Sequence, residues 1–101
     1  MPTSATTKVQ LRNPDPKKKG PRMDAATYAV VRKAALATLP ATEPGMTLEQ
    51  FRSTLAKRLG RTKGWDQSLS AMWYGMAIKL DLEARGELER SGTPQRLTRV
   101  R

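Results

Sequence analysis

LEARGELERSGTPQRLTRVR, residues Leu82 to Arg101, is the stretch that decides the fold. It is either a loose basic tail or a folded hairpin with cations set along it. Gly86 suits the left-handed position that ends a helix. Leu88 opens an extended run, and SGTP, Ser91 to Pro94, carries the residues of a four-residue turn. Pairing Arg90 with Gln95 sets Glu89 against Arg96, Leu88 against Leu97 and Glu87 against Thr98. In that register the two leucines point inward together and opposite charges meet across the strands. A random tail does not show this agreement, so a hairpin is expected.

Upstream of Gly86 the pattern is helical, with three segments. The first begins at Asp24 as N-cap, flanked by Met23 and Tyr28 at staple positions, and Tyr28, Val31, Ala35 and Leu39 fall on one stripe before Pro40 stops it. The second begins with a Thr47–Gln50 capping box and carries Leu48, Phe51, Leu55 and Leu59 on one side, with Gly60 expected at its left-handed end. The third is expected from about Asp66, as N-cap, to Arg85. At 100° per residue, Leu69, Met72, Trp73, Met76 and Leu80 share one face, while Ala71, Tyr74, Ile78 and Leu82 lie nearly opposite. A helix apolar on two sides is sandwiched, so its Trp and Met residues belong to a core or an interface.

Residues 1–22 hold Pro14, Pro16 and Pro21 and almost no large apolar residue. They are expected to form a disordered basic arm carrying Lys17, Lys18 and Lys19, ahead of a single folded domain over residues 23–101. Val9 and Leu11 offer at most a short strand at a sheet edge or in a partner. Removal of the arm is expected to leave thermal unfolding nearly unchanged.

Composition narrows the function. The chain has 101 residues, no cysteine and no histidine. Disulfides, thiolate metal sites, cysteine nucleophiles and the commonest general base are all excluded. Asp81 and Glu83 point apart on a helix, and PDPKKKGPR lacks the glycine spacing of a phosphate-cradling loop, so no enzyme activity and no cofactor are expected. No apolar run approaches the roughly 20 residues of a membrane span, and the N-terminus has no secretory pattern. A cytoplasmic protein is the expectation. Nineteen basic residues against nine acidic leave a net charge of +10, which favours an anionic partner.

Three helices followed by a hairpin is the order of a winged helix-turn-helix, an α+β fold that is mainly α. A short strand near Gly45–Thr47 would complete its small sheet. MDAATYAVVRKAALATLP, PGMT and MWYGMAIKLDLEARGEL further resemble segments of a small family of uncharacterised bacterial winged-helix proteins. The resemblance spans Met23 to Arg101, its most specific pieces being Trp73–Tyr74 and KLDLEARG, Lys79 to Gly86. It implies the winged-helix fold and carries no activity, ligand or catalytic residue with it.

The function expected is therefore nucleic-acid binding, with duplex DNA as partner and transcriptional regulation among the roles it fits. Arg61 and Lys63 stand before the third helix, whose first turn would offer Gln67, Ser68 and Ser70 to base edges. The hairpin would offer Arg90, Gln95, Arg96 and Arg99, and Lys17 to Lys19 a grip that weakens with salt. Each of these also fits a bland role as a polar helix start, a solvated face or an internal ion pair. Asp81, Glu83, Glu87 and Glu89 would repel a phosphate backbone approaching the helix end. The alternative is a protein-interaction or assembly module, with the third helix as a dimer seam or partner groove.

Overall fold

The computed structural model describes residues 8–42, 44–92 and 95–100. Its order is β1 (Lys8–Gln10), β2 (Arg22–Asp24), α1 (Ala25–Thr38), α2 (Leu48–Gly60), α3 (Ala71–Ala84), β3 (Leu88–Ser91) and β4 (Arg96–Arg99). Three helices and a C-terminal hairpin are present as expected, and an N-terminal hairpin is added to them.

The helix ends follow from local chemistry. The Asp24 carboxylate accepts from the Ala26 N–H at 3.2 Å, and Pro40 lies just past the Leu39 cap of α1. At the start of α2 the Thr47 hydroxyl accepts from Gln50 N–H while the Gln50 side chain accepts from Thr47 N–H, so the capping box is complete. Gly60 is the last residue of α2 rather than its left-handed terminator; the cap is Arg61 and the positive φ falls on Gly64. Gly86 ends α3 with φ 77°, and Glu87 N–H and Gly86 N–H reach back to the carbonyls of Leu82 and Glu83. That double closure is the Schellman pattern, and it turns the chain directly into β3.

Phe51, Leu55 and Leu59 from α2 meet Val31 and Ala35 from α1, Leu39 at its cap, and Ile78 and Leu82 from α3 in the main core. Leu88 and Leu97 of the C-terminal hairpin enter the same cluster. The sheet gains a third member at Met46, whose N–H and C=O exchange hydrogen bonds of 3.0 and 2.7 Å with Leu97. Gly45 makes that approach possible, since it has φ 76° and a Cβ there would lie 2.6 Å from the Leu97 oxygen.

The hairpin register differs from the expected one. Leu88 faces Arg99, Glu89 faces Thr98, Arg90 faces Leu97 and Ser91 faces Arg96, so each residue's partner is two further along. A two-residue offset preserves the side-chain faces, and both leucines stay inward. Contacts outside the hairpin decide it: Met46 holds Leu97, and Glu83 holds Arg90 at 2.8 Å. A surface Glu89–Arg96 pair is too weak to compete with these. Thr93 and Pro94 of the expected turn lie outside the described residues.

The larger difference is at the N-terminus. From Lys8 onward the expected mobile arm is a hairpin, with Val9 facing Met23 and Leu11 N–H bonded to Pro21 C=O at 3.0 Å. Leu11 and Met23 are buried against Ala77 of α3, with Val9, Tyr28 and Tyr74 around them. Two buried apolar side chains and a paired backbone replace the entropy that an arm so rich in proline and lysine would otherwise keep. No helix among the described residues is long and apolar enough to cross a membrane.

Candidate nucleic-acid interface

The two ends of α3 gather different residues. At its N-terminal end the helix starts later than expected. Asp66 does not cap it; the carboxylate instead accepts from the Ser68 N–H at 2.9 Å and the Ser68 hydroxyl at 2.7 Å, closing a local turn. These bonds, the side-chain one foremost, hold the Asp66 carboxyl below its ordinary pKa. The true cap is Ser70, whose hydroxyl accepts from Trp73 N–H at 3.2 Å. Burial of Trp65 in the core pulls the chain inward here and delays the helix.

This reassigns three expected base-reading residues. Gln67 and Ser68 lie before α3, and the Gln67 amide donates to the Gly60 carbonyl at 3.1 Å. Ser70 is occupied as the cap. Arg61 and Lys63 are exposed and, among the described residues, enter no salt bridge. Arg52 of α2 stands over the first turn of α3, donating to Met72 C=O at 3.3 and 3.4 Å.

The faces of α3 are also redistributed. Ile78 and Leu82 face the main core with Ala71 and Tyr74 packed beside them, and Ala77 meets the N-terminal hairpin. Leu69 packs against the main core from outside the helix, whereas Met72 and Trp73 keep 41% and 50% of their surface exposed. The Trp73 ring sits edge-to-face with Tyr74, 4.9 Å away, and Tyr74 with Trp65, 5.4 Å away.

At the C-terminal end of α3 acids and bases are tightly accounted for. Asp81 is fully buried and accepts from Arg12 N–H at 2.8 Å, the Tyr28 hydroxyl at 2.7 Å and Arg85 Nε at 2.9 Å. Burial, and then the bond to Asp81, raises the Tyr28 phenol above its ordinary pKa. Lys79, itself buried, meets Glu83 at 2.8 Å, and Glu83 also binds Arg90. Arg32 pairs with Glu87. Three of the four acids expected to repel a phosphate backbone are thus neutralised within the fold. Glu89 remains exposed.

The tip of the N-terminal hairpin lies beside this end. A cavity of about 330 Å³ separates Asn13, Pro14 and Asp15 from Lys79, Glu83 and Arg90, and another of about 350 Å³ brings Lys18 and Lys19 near Ala84. Lys17, Lys18 and Lys19 are exposed there, their turn set by Asp15, which accepts from Lys17 N–H and Lys18 N–H. Gln95 and Arg99 are exposed and Arg96 is half-buried on the C-terminal hairpin. The residues expected to act together therefore divide: Lys18, Lys19 and Arg90 stand at one end of α3, and Arg61, Lys63 and Gln67 belong to the loop that leads from α2 into the other.

Sequence reasoning missed Asp81 as the pin of the N-terminal hairpin. An acid set between Leu80 and Leu82 on a helix apolar on two sides was the available signal. Nor does the sequence show that Arg52, a cation outside the apolar stripe of α2, donates to the Met72 carbonyl of α3.

The family described as a family of unknown function (DUF6958) matches residues 8–97. No curated protein and no solved structure matches the chain.

Proposed function

The chain belongs to the family of unknown function DUF6958, and for this member we propose nucleic-acid binding by a winged helix-turn-helix, with duplex DNA as the partner. One observation carries the proposal. The fold draws Asp81, Glu83 and Glu87 into pairs with Arg85, Lys79, Arg90 and Arg32, and leaves the other cations of the loops and hairpins without a salt bridge among the described residues. Lys17 to Lys19, Arg61, Lys63, Arg96 and Arg99 are in that second set. Such a distribution gives the surface a positive field that the interior does not share. The N-terminal hairpin, docked rather than loose, presents its lysines from a fixed turn.

The mode of binding is mainly to phosphates. With Gln67 and Ser70 engaged by backbone groups, few side chains remain at the start of α3 to read base edges. Affinity should fall steeply with salt, and the slope of log K against log salt should flatten by about 0.9 for each phosphate contact removed. Replacing Lys17, Lys18 and Lys19 together by Gln flattens the slope most. Arg96→Glu weakens binding across all sequences, and Arg90→Gln, already committed to Glu83, changes it least. Titration of labelled duplex at several salt concentrations tests this; absence of binding at low salt removes the proposal.

A second reading has its own observation, the exposed Met72–Trp73 pair on the first turn of α3. DNA-reading helices present polar groups at that place, whereas a protein partner or a second copy would bury an aromatic anchor. A concentration-dependent molar mass abolished by Trp73→Ser would favour it.

A further inference from the structure

A groove between α1 and the end of α2 carries a different kind of site. Lys33 and Ala37 of α1 face Arg58, Thr62 and Lys63 across about 310 Å³, over a floor of Val30 and Ala34. Three cations and no acid line it. None of the three enters a salt bridge among the described residues, although four other cations of this fold do. Like charges held around one concavity repel each other, and an anion in the groove relieves that repulsion.

Arg58 is also aimed. Its Nε donates to the Thr38 hydroxyl at 3.1 Å, and that hydroxyl donates to Ala34 C=O at 2.8 Å. The guanidinium is thereby fixed on one edge, which leaves its terminal nitrogens for a planar or tetrahedral oxyanion. The Thr62 hydroxyl is spent on Arg58 C=O at 2.7 Å, which fixes the loop leading to Lys63 and leaves anion contact to the cations. The apolar floor has no role for a free inorganic ion but suits the body of an organic ligand. The volume lies at the small end of ligand pockets, a size matched to one mononucleotide.

We propose that this groove binds a small phosphate ester, its phosphate among Lys33, Arg58 and Lys63 and its apolar body on Val30, Ala34 and Ala37. The site shares Lys63 with the nucleic-acid reading but does not depend on it. A phosphate ester can be a free metabolite or the backbone of a nucleic acid, and the proposal is for the free ligand.

The test is a backbone-amide NMR titration of the full chain with adenosine monophosphate, adenosine, inorganic phosphate and a short oligonucleotide. Saturable shifts centred on Val30–Ala37 and Thr62–Lys63 are expected with the monophosphate, weaker ones with inorganic phosphate, and none with adenosine. Arg58→Gln should weaken the monophosphate about tenfold, as loss of one charge-assisted contact does. Lys63→Gln, at an exposed position whose side chain makes no hydrogen bond among the described residues, should weaken it in the same sense and serves if Arg58→Gln fails to fold. No saturable shift with the monophosphate overturns the proposal, as does equal binding by adenosine or by both variants. Shifts at these residues with the oligonucleotide alone also overturn it, and would assign the groove to backbone phosphates.

Discussion

The N-terminal and C-terminal hairpins both rest on α3, yet they are held by different means. The C-terminal one inserts Leu88 and Leu97 into the main core and is extended by Met46 into a third strand position. The N-terminal one contributes Leu11 and Met23 to a small separate cluster around Ala77 and relies on a buried carboxylate, Asp81, that accepts the Arg12 N–H. One is part of the core, and the other is pinned to its outside. The contrast also governs charge. Arg90 of the C-terminal hairpin is spent on Glu83, while Lys17 to Lys19 at the tip of the N-terminal hairpin stay free of salt bridges among the described residues.

The largest effect should come from the core-bound hairpin. Leu97→Ala removes a side chain with 1% of its surface exposed and weakens the seat of the Met46 bridge. A loss of about 3 kcal/mol is expected, as for other fully buried leucines. Urea unfolding with a single cooperative transition and a lowered midpoint would agree. A loss below about 1 kcal/mol would mean that the C-terminal hairpin is no more integral than the N-terminal one.

Removal of residues 1–22 comes next. As a disordered arm the segment would be dispensable, but as a docked hairpin it buries Leu11 and supplies one of three donors to Asp81. Burial of a leucine and a hydrogen bond to a charged acceptor, less the entropy of ordering the segment, leaves about 2 kcal/mol. For a domain of this size the thermal midpoint should fall by roughly 10 °C. An unchanged midpoint would show that the hairpin contributes nothing to the core, and the comparison would fail.

The same contrast explains what the sequence disclosed. The C-terminal hairpin was legible because a helix stop, a turn signal and two inward leucines agree with one another across Gly86 to Leu97. Its register was not, because Met46 and Glu83 set it from elsewhere in the chain. Three-residue strands with a proline-rich connection of lysines gave almost no local signal at the N-terminus. Val9, Leu11 and Met23 become a strand pair only once Ala77 and Asp81 are there to receive them. The start of α3 misled for a related reason. Asp66 and Ser70 are both good caps, and the burial of Trp65 chose the later one. Of the expected interface, the exposed cations were legible from charge alone. Which of them are spent internally depended on long-range pairs such as Arg32–Glu87, and no local pattern shows those.

The smallest effect probes the pin itself. Tyr28→Phe deletes one donor to Asp81 while leaving Leu11, Arg12 and Arg85 in place, so about 1 kcal/mol should be lost at neutral pH. Its pH dependence separates this bond from general packing. The phenol's pKa is raised in the folded state, by burial first and by the Asp81 bond second, from an ordinary value of 10.0. Between the ordinary and the folded pKa the unfolded chain has released a proton that the folded one retains. Stability from Tyr28 is therefore complete below pH 10 and declines as the pH rises through the folded pKa. The parent should lose stability above pH 10 faster than Tyr28→Phe, and the gap between their urea midpoints should narrow. A gap that stays constant from pH 8 to pH 10.5 would mean that the ring, and not its hydroxyl on Asp81, is what helps to hold the N-terminal hairpin to α3.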